Sequence, residues 1–265
     1  SRKKNINFPW KKWSCAAAAV IFAAVMCVFF LPDRDSSTNI SAVSAHVVAK
    51  ASYPKAASYP NEADYMKNGE LDYDNYMEAY DAWFEEDRKR NELKGYADGM
   101  DGFLLKSTKQ ILSDSESKNR IYSPLNVYMA LGMLAELTAG DSRQQILGLL
   151  GAENLEMLRK QASDLWNANY RNDGAVTNIL ASSLWLNQDV RFEQGAMNTL
   201  AETYYASSYQ GKMGSKQLNQ LLQNWLDEQT GGLLKEQAQA VELSPETILA
   251  LATTVYFRAK WYAEF

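Results

Sequence analysis

The residues that could do chemistry are few, and their placement is poor for it. The chain of 265 residues has one histidine, His46, and two cysteines, Cys15 and Cys27. His46 sits in a low-complexity stretch and reads as a solvated linker residue, while both cysteines lie within an apolar run. A nucleophilic triad needs a histidine held beside its serine or cysteine by a folded scaffold, with a third group to orient it. Zinc sites need several His, Cys or carboxylate ligands converging on one point. One further pattern, Ser115-Glu116-Ser117-Lys118, fits the Ser-x-x-Lys of penicillin-interacting enzymes. It falls in a polar turn instead of opening a buried helix, and no Lys-Thr-Gly accompanies it. The expectation is a protein that is not an enzyme and holds no cofactor and no metal.

Composition narrows the class further. The chain is 46% apolar and 12% aromatic with a net charge of -5, a globular composition without the basic face that a nucleic-acid partner requires. The run from Cys15 to Leu31 is uncharged and apolar; Lys3, Lys4, Lys11 and Lys12 precede it, with Trp10 and Trp13 at its boundary. As a helix it would reach ~25 Å, short but sufficient for a bilayer core. Basic residues stay on the cytoplasmic side, so everything after Leu31 is expected to be translocated. Residues 1–31 therefore read as a signal anchor (a transmembrane helix) or a cleaved signal peptide. Localisation is expected to be extracytoplasmic, membrane-anchored or secreted, and the absence of cysteines elsewhere points to a bacterial setting.

Residues 32–95 look unlike a core. They begin with Ser, Ala, Tyr and Pro, including the repeat Ala51-Ser52-Tyr53-Pro54 and Ala57-Ser58-Tyr59-Pro60, and read as a flexible tether. From Glu62 to Asp87 acidic residues alternate with Tyr65, Tyr73, Tyr76, Tyr80, Trp83 and Phe84, giving either a partner-binding segment or a solvated amphipathic helix packed on the domain.

From 96 to 265 the periodicities sharpen. Phe103, Leu104, Ile111 and Leu112 suggest a helix ending near Ser113, and Ile121-Tyr122 a short strand. Ser123-Pro124 supplies an N-cap and a first-turn proline, and Val127 to Ala135 is apolar nearly all round, closed by Gly140. Helices are expected over Asp141–Leu150, Leu155–Tyr170 and Phe192–Tyr205, and a strand over Asn178–Leu186. Leu218, Leu221, Leu222, Trp225 and Leu226 share one helical face, stopped by Thr230-Gly231-Gly232. Thr247 to Phe257 carries no charge, Gly or Pro and fits a strand ~36 Å long, covered on both faces in the middle of a large sheet.

Five of these segments, in order, resemble the serpin family. Ile121-Tyr122-Ser123-Pro124-Leu125-Asn126 resembles the family's Ser-Pro-x-Ser approach to helix B. Met133 to Ile146 (MLAELTAGDSRQQI) resembles the helix B to helix C junction, and Ala181-Ser182-Ser183-Leu184-Trp185-Leu186 is similar to its Ala-Asn-x-Leu-aromatic strand. Asn224-Trp225-Leu226 with Thr230 and Gly232 is similar to the helix F signature. Val255-Tyr256-Phe257-Arg258-Ala259-Lys260-Trp261, followed by Phe265, is similar to the third strand of sheet A.

The resemblance implies an α+β, serpin-like fold in which the helix A to F region packs on part of sheet A. It covers about the first half of the family's domain, so the reactive loop and its hinge are expected to lie C-terminal to Phe265. It also implies inhibition of a serine or cysteine protease by inserting a cleaved loop into sheet A, a step that 265 residues lacking that loop cannot complete. The alternative is a non-inhibitory, membrane-tethered serpin-like binding protein. Shutter and breach candidates implied by the resemblance are Ser123, Asn126, Thr253 and Trp261, with Trp225, Thr230 and Gly232 on helix F. Asn126 stands where the family has a second serine, and Thr253 where it usually has asparagine. Ser123 reads equally as an ordinary helix cap and Trp261 as an ordinary core aromatic. The exposed strand edge predicts aggregation or binding of extended peptides.

Overall fold

The structure is a computed structural model and describes residues 19–22, 45–92, 95, 97–113 and 120–260. Its centre is a mixed sheet built on two long strands, β6 (Val176–Asn187) and β8 (Leu249–Ala259), paired antiparallel over their whole shared length from Val176↔Ala259 to Leu186↔Leu249. β7 (Ala206–Gly211) runs parallel to β6 on its other side, and β2 (Val47–Ala49) pairs antiparallel with β7. At the opposite edge β1 (Ala19–Phe22) runs parallel to β8 over Ala250–Thr253. The order is thus β1-β8-β6-β7-β2, with β5 (Arg171–Asn172) turning back onto the start of β6.

Side-chain alternation sorts each strand between two cores. Leu180, Leu184 and Leu186 of β6 and Leu251 of β8 join a helical layer containing Tyr128, Met129, Met133, Leu158, Leu165, Trp166, Met197 and Leu200. Their intervening neighbours Ala181, Trp185, Ala250 and Ala252 face the other way, onto Leu218, Leu222, Trp225 and Leu226. Each leucine fully removed from water here contributes roughly 1.5–3 kcal/mol. Both faces of the central strands are therefore dry over Leu180–Leu186 and Ala250–Thr254, which is why these stretches carry no charge, whereas Phe257, expected to be covered, is exposed at the end of β8.

The helical layer comprises α2 (Asp101–Ser113), α3 (Pro124–Glu136), α4 (Gly140–Leu150), α5 (Leu155–Asn169) and α6 (Gln194–Thr203). α3 begins where expected: Ser123 Oγ accepts the Asn126 N–H at 3.4 Å, and Pro124 occupies the first turn. α7 (Lys216–Gln229) lies alone on the opposite face, followed by the single turn α8 (Lys235–Ala238). Asn219 Oδ1 on α7 accepts the Leu243 N–H at 3.0 Å, tying the helix to the segment that leads into β8.

Several expectations change. Ile121-Tyr122 is not a strand, and Gly140 is the first residue of α4, since α3 already ends at Leu137. β7 was not foreseen: Ala206-Ser207-Ser208-Tyr209 is too polar to read as a core strand, yet all four residues are buried. Most of the Cys15–Leu31 run lies outside the described residues; Ala19–Phe22 within it is a strand and not a helical turn. No helix among the described residues is long and apolar enough to cross a membrane.

The largest correction concerns the tether. Residues 45–60 lie along the sheet edge and α5, and α1 (Tyr73–Asn91) follows a small hairpin of β3 (Met66–Lys67) and β4 (Glu70–Leu71). The cause is aromatic. Tyr53 packs against Trp166, Tyr170 and Tyr205 with ring centroids 5.2, 5.7 and 6.4 Å away. A composition too polar for a core of its own becomes ordered by borrowing the core of its neighbour. His46 is part of this edge as well, and no solvated linker residue: its Nδ1–H donates to the Gln210 carbonyl at 2.9 Å, and its own carbonyl accepts the Gln210 N–H at 2.8 Å.

Candidate functional site

The candidate site is the β8 edge of the sheet with the layers above and below it. On the helical side, strand parity directs Ser182 of β6 and Thr253 of β8, which are directly paired, toward α3. α3 packs on both strands and brings in the buried Asn126. A small polar cluster thus sits between sheet and helix. Asn126 and Thr253 share this layer, and Ser123 serves as the N-cap of α3. The Thr253 hydroxyl is buried and finds no hydrogen-bond partner among the described residues. Trp261 lies outside the described residues.

Across the sheet, the Trp185 indole N–H donates to Ser183 Oγ at 2.8 Å and its ring stacks on Tyr209 at 4.4 Å, giving α7 a flat platform. Trp225 and Leu226 of α7 are buried on it. The end of this helix explains its sequence. Thr230 Oγ1 donates back to the Leu226 carbonyl at 2.7 Å. Gly231 then turns the chain at φ 60°, where a Cβ would stand 2.6 Å from the Tyr256 ring of β8. Gly232 follows at φ 82°, in open space, so its requirement is conformational only. Of the residues the resemblance places on helix F, Trp225 is buried against the sheet and Thr230 closes the end of α7.

Sequence reasoning missed the pin that sets the wall beneath the sheet. Glu136, at the end of α3, has its side chain buried and takes both Arg159 Nε and Nη2, at 2.9 and 2.8 Å, as well as the Tyr204 hydroxyl at 3.1 Å. This fork of two nitrogens onto one carboxylate is the strong geometry for such a pair, and it joins α3, α5 and the end of α6. Burial, then the Glu136 charge, pushes the Tyr204 phenol far above its ordinary value. The Tyr204 ring runs so close to α3 that a Cβ at Gly132 would lie 2.8 Å from it. An acidic residue inside an apolar helix was the available signal; its partners lie 23 and 68 residues away.

No group of three or more His, Cys, Asp or Glu that could hold a metal occurs among the described residues. What the arrangement offers is mechanical: β8 is fully paired on its β6 side, while on the other side four of its residues, ending at Thr253, are paired among the described residues. Beyond Thr253 no strand among the described residues takes up that side. Among the described residues the site is thus a mixed sheet with α7 across one face, a helical wall on the other, and a β8 edge that is unpaired beyond Thr253.

Residues 98–265 match the family model described as serpin (serine protease inhibitor), and the chain belongs to that family. It is 25% identical over 160 residues to Serpin-ZX of Arabidopsis thaliana, covering 58% of this chain and 41% of that protein. Identity to plasminogen activator inhibitor 1 of Mus musculus is 24% over 172 residues, covering 62% and 41%. Among solved structures, human kallistatin superposes with a TM-score of 0.56 at 22% identity, over 66% of this chain and 48% of that one. The native state of the thermophilic serpin tengpin gives 0.56 at 21%, over 65% and 43%. The chain thus spans about 41% of the length of these curated relatives, and the serpin fold is present as helices packed on a partial mixed sheet.

Proposed function

We propose that the protein carrying this domain is an extracytoplasmic inhibitor of serine or cysteine proteases, not an enzyme, acting through insertion of a cleaved reactive loop beside β8. The observation that supports this reading is the asymmetry of β8: eleven residues long, dry on both faces from Ala250 to Thr254, locked to β6 on one side and sparsely paired among the described residues on the other. A strand added there gains backbone hydrogen bonds along a ready-made edge. The one helix that crosses the opposite face is fastened to β8 by the Gly231–Tyr256 contact, so opening of the sheet is coupled to movement of α7. The Cys15–Leu31 run is the element that would export the protein or hold it at a membrane, and a bacterial source fits such a run.

In this reading the 265-residue chain supplies the recipient sheet and not the inserted loop. Mixed with trypsin, chymotrypsin, elastase or papain, it is expected to be cut at exposed sites without forming a complex that survives denaturing electrophoresis. Such a complex would show that these residues inhibit by themselves and would overturn the assignment of roles. Reading the coding frame past the Phe265 codon then separates two outcomes. A loop with a small-residue hinge supports inhibition, and a stop codon supports a non-inhibitory binding protein. The second outcome has one observation in its favour: the Thr253 hydroxyl, buried at the family's asparagine position, makes no hydrogen bond among the described residues.

A further inference from the structure

The second sheet edge carries a different message. β7 would be an open edge were it not covered by residues 45–60, and the cover is built as a ligand is built. β2 pairs with β7 and sends Val47 to the α7 side and Val48 to the helical side. The Ala51 N–H donates to Ser207 Oγ at 3.1 Å. Two residues later Tyr53, first tyrosine of the Ala-Ser-Tyr-Pro repeat, enters a seat whose floor is Trp166, itself stacked on Tyr170 at 4.5 Å and Tyr205 at 3.6 Å. Tyr59, the equivalent residue of the second copy, donates its N–H to the Asp173 carbonyl at 2.7 Å and sets its ring edge-on to Trp83 at 4.9 Å. Both copies of the repeat are thus attachment points, six residues apart in the chain. Lys55 stands exposed in the connector.

We propose that the β7 edge, the Trp166 seat and the Asp173 carbonyl form a peptide-binding groove for an extended segment with tyrosines six residues apart, and that residues 47–60 are its resident, displaceable ligand. The recognition elements are those of strand addition: main-chain hydrogen bonds give hold, and pockets for particular side chains give selectivity. A ligand tied to its own receptor binds at high effective concentration, so the groove is closed to outside peptides until the strap is weakened. Release would bare the β7 edge, the seat and the inner face of α1 together, because Asp173 joins the strap, β6 and Trp83 at one point. This inference is independent of protease inhibition, since it concerns the opposite edge of the sheet.

The test uses the full chain and a fluorescent synthetic peptide of residues 45–60. The unmodified chain is expected to show no saturable binding. The Tyr53→Ala chain should bind the peptide saturably, and a peptide carrying the same substitution should bind at least ~10-fold more weakly, as loss of aromatic contacts predicts. Hydrogen exchange on the same samples should show the amides of 47–50 protected in the parent and released in Tyr53→Ala. Released amides without peptide binding, or amides that stay protected, would overturn the proposal. If Tyr53→Ala loses its near-ultraviolet circular dichroism, Tyr53→Leu is measured in the same way. Loss of the fold in both would show that the strap is inseparable core and not an exchangeable ligand.

Discussion

The two edges of the sheet are finished in opposite ways. The β7 edge is covered by β2, a seated tyrosine and a helix held by charge: Arg171 reaches Asp87 of α1 at 3.2 Å and lies over the Trp83 ring at 5.4 Å. The β8 edge has a four-residue parallel strand beside it and a helix across its face whose end depends on one glycine. Exposed edges invite unwanted pairing, and proteins protect them or use them. One edge is protected by the chain's own N-terminal segment, while the other keeps a backbone that an incoming strand can pair with.

That contrast can be broken from either side. The largest effect is expected at the β8 edge from Gly231→Ala, which places a side chain at positive φ against Tyr256. A loss of about 2–4 kcal/mol in unfolding free energy is expected by denaturant titration, from the combined strain and clash. Adding Tyr256→Ala should recover the clash and leave the backbone strain; no recovery would mean that the contact does not fasten α7. At the covered edge Tyr53→Ala should cost about 1–3 kcal/mol, since a half-buried ring loses three aromatic neighbours. Tyr53→Phe should cost little. Equal losses from the two would show that the hydroxyl, and not the ring, holds the strap.

Acid should act on the covered edge first. Burial opposes the charge of Asp173, but the Val176 N–H, Arg171 and the Trp83 indole donate to it and hold its carboxyl below the ordinary aspartate value. A carboxyl depressed in the folded state contributes stability that is present above its unfolded pKa of about 3.9 and lost as pH falls through the lower folded value. Exchange protection at the Tyr59 amide should therefore fall below about pH 4. Asp173→Asn should flatten that dependence, and an unchanged profile would exclude Asp173 as the junction. The smallest effect, a gain, is expected from Thr253→Val. Removing a buried hydroxyl that makes no bond should stabilise by about 1 kcal/mol in thermal melts. Destabilisation would reveal a partner for that hydroxyl.

Legibility in the sequence followed the range of the forces involved. α3, α5, α7 and β8 could be read because caps, 3.6-residue spacing and an uncharged run are local signals, and the five serpin-like segments fall on or beside α3, α4, β6, α7 and β8. β7 could not be read, because Ser207 and Ser208 are buried by neighbours that no local pattern announces. The strap was misread for the same reason: Ala-Ser-Tyr-Pro twice over is too polar to fold alone, and the residues that order it lie more than a hundred positions further on.

The sequence by itself determined which segments between 101 and 229 become helices, that the Asn178–Leu186 and Thr247–Phe257 runs are strands, and the resemblance to a family of protease inhibitors. Only the tertiary structure decided which groups meet: Glu136 with Arg159 and Tyr204, Gly231 with Tyr256, Tyr53 with Trp166. Periodicity records how a residue faces its own element, whereas pairing between elements depends on packing that is fixed only when the whole layer closes.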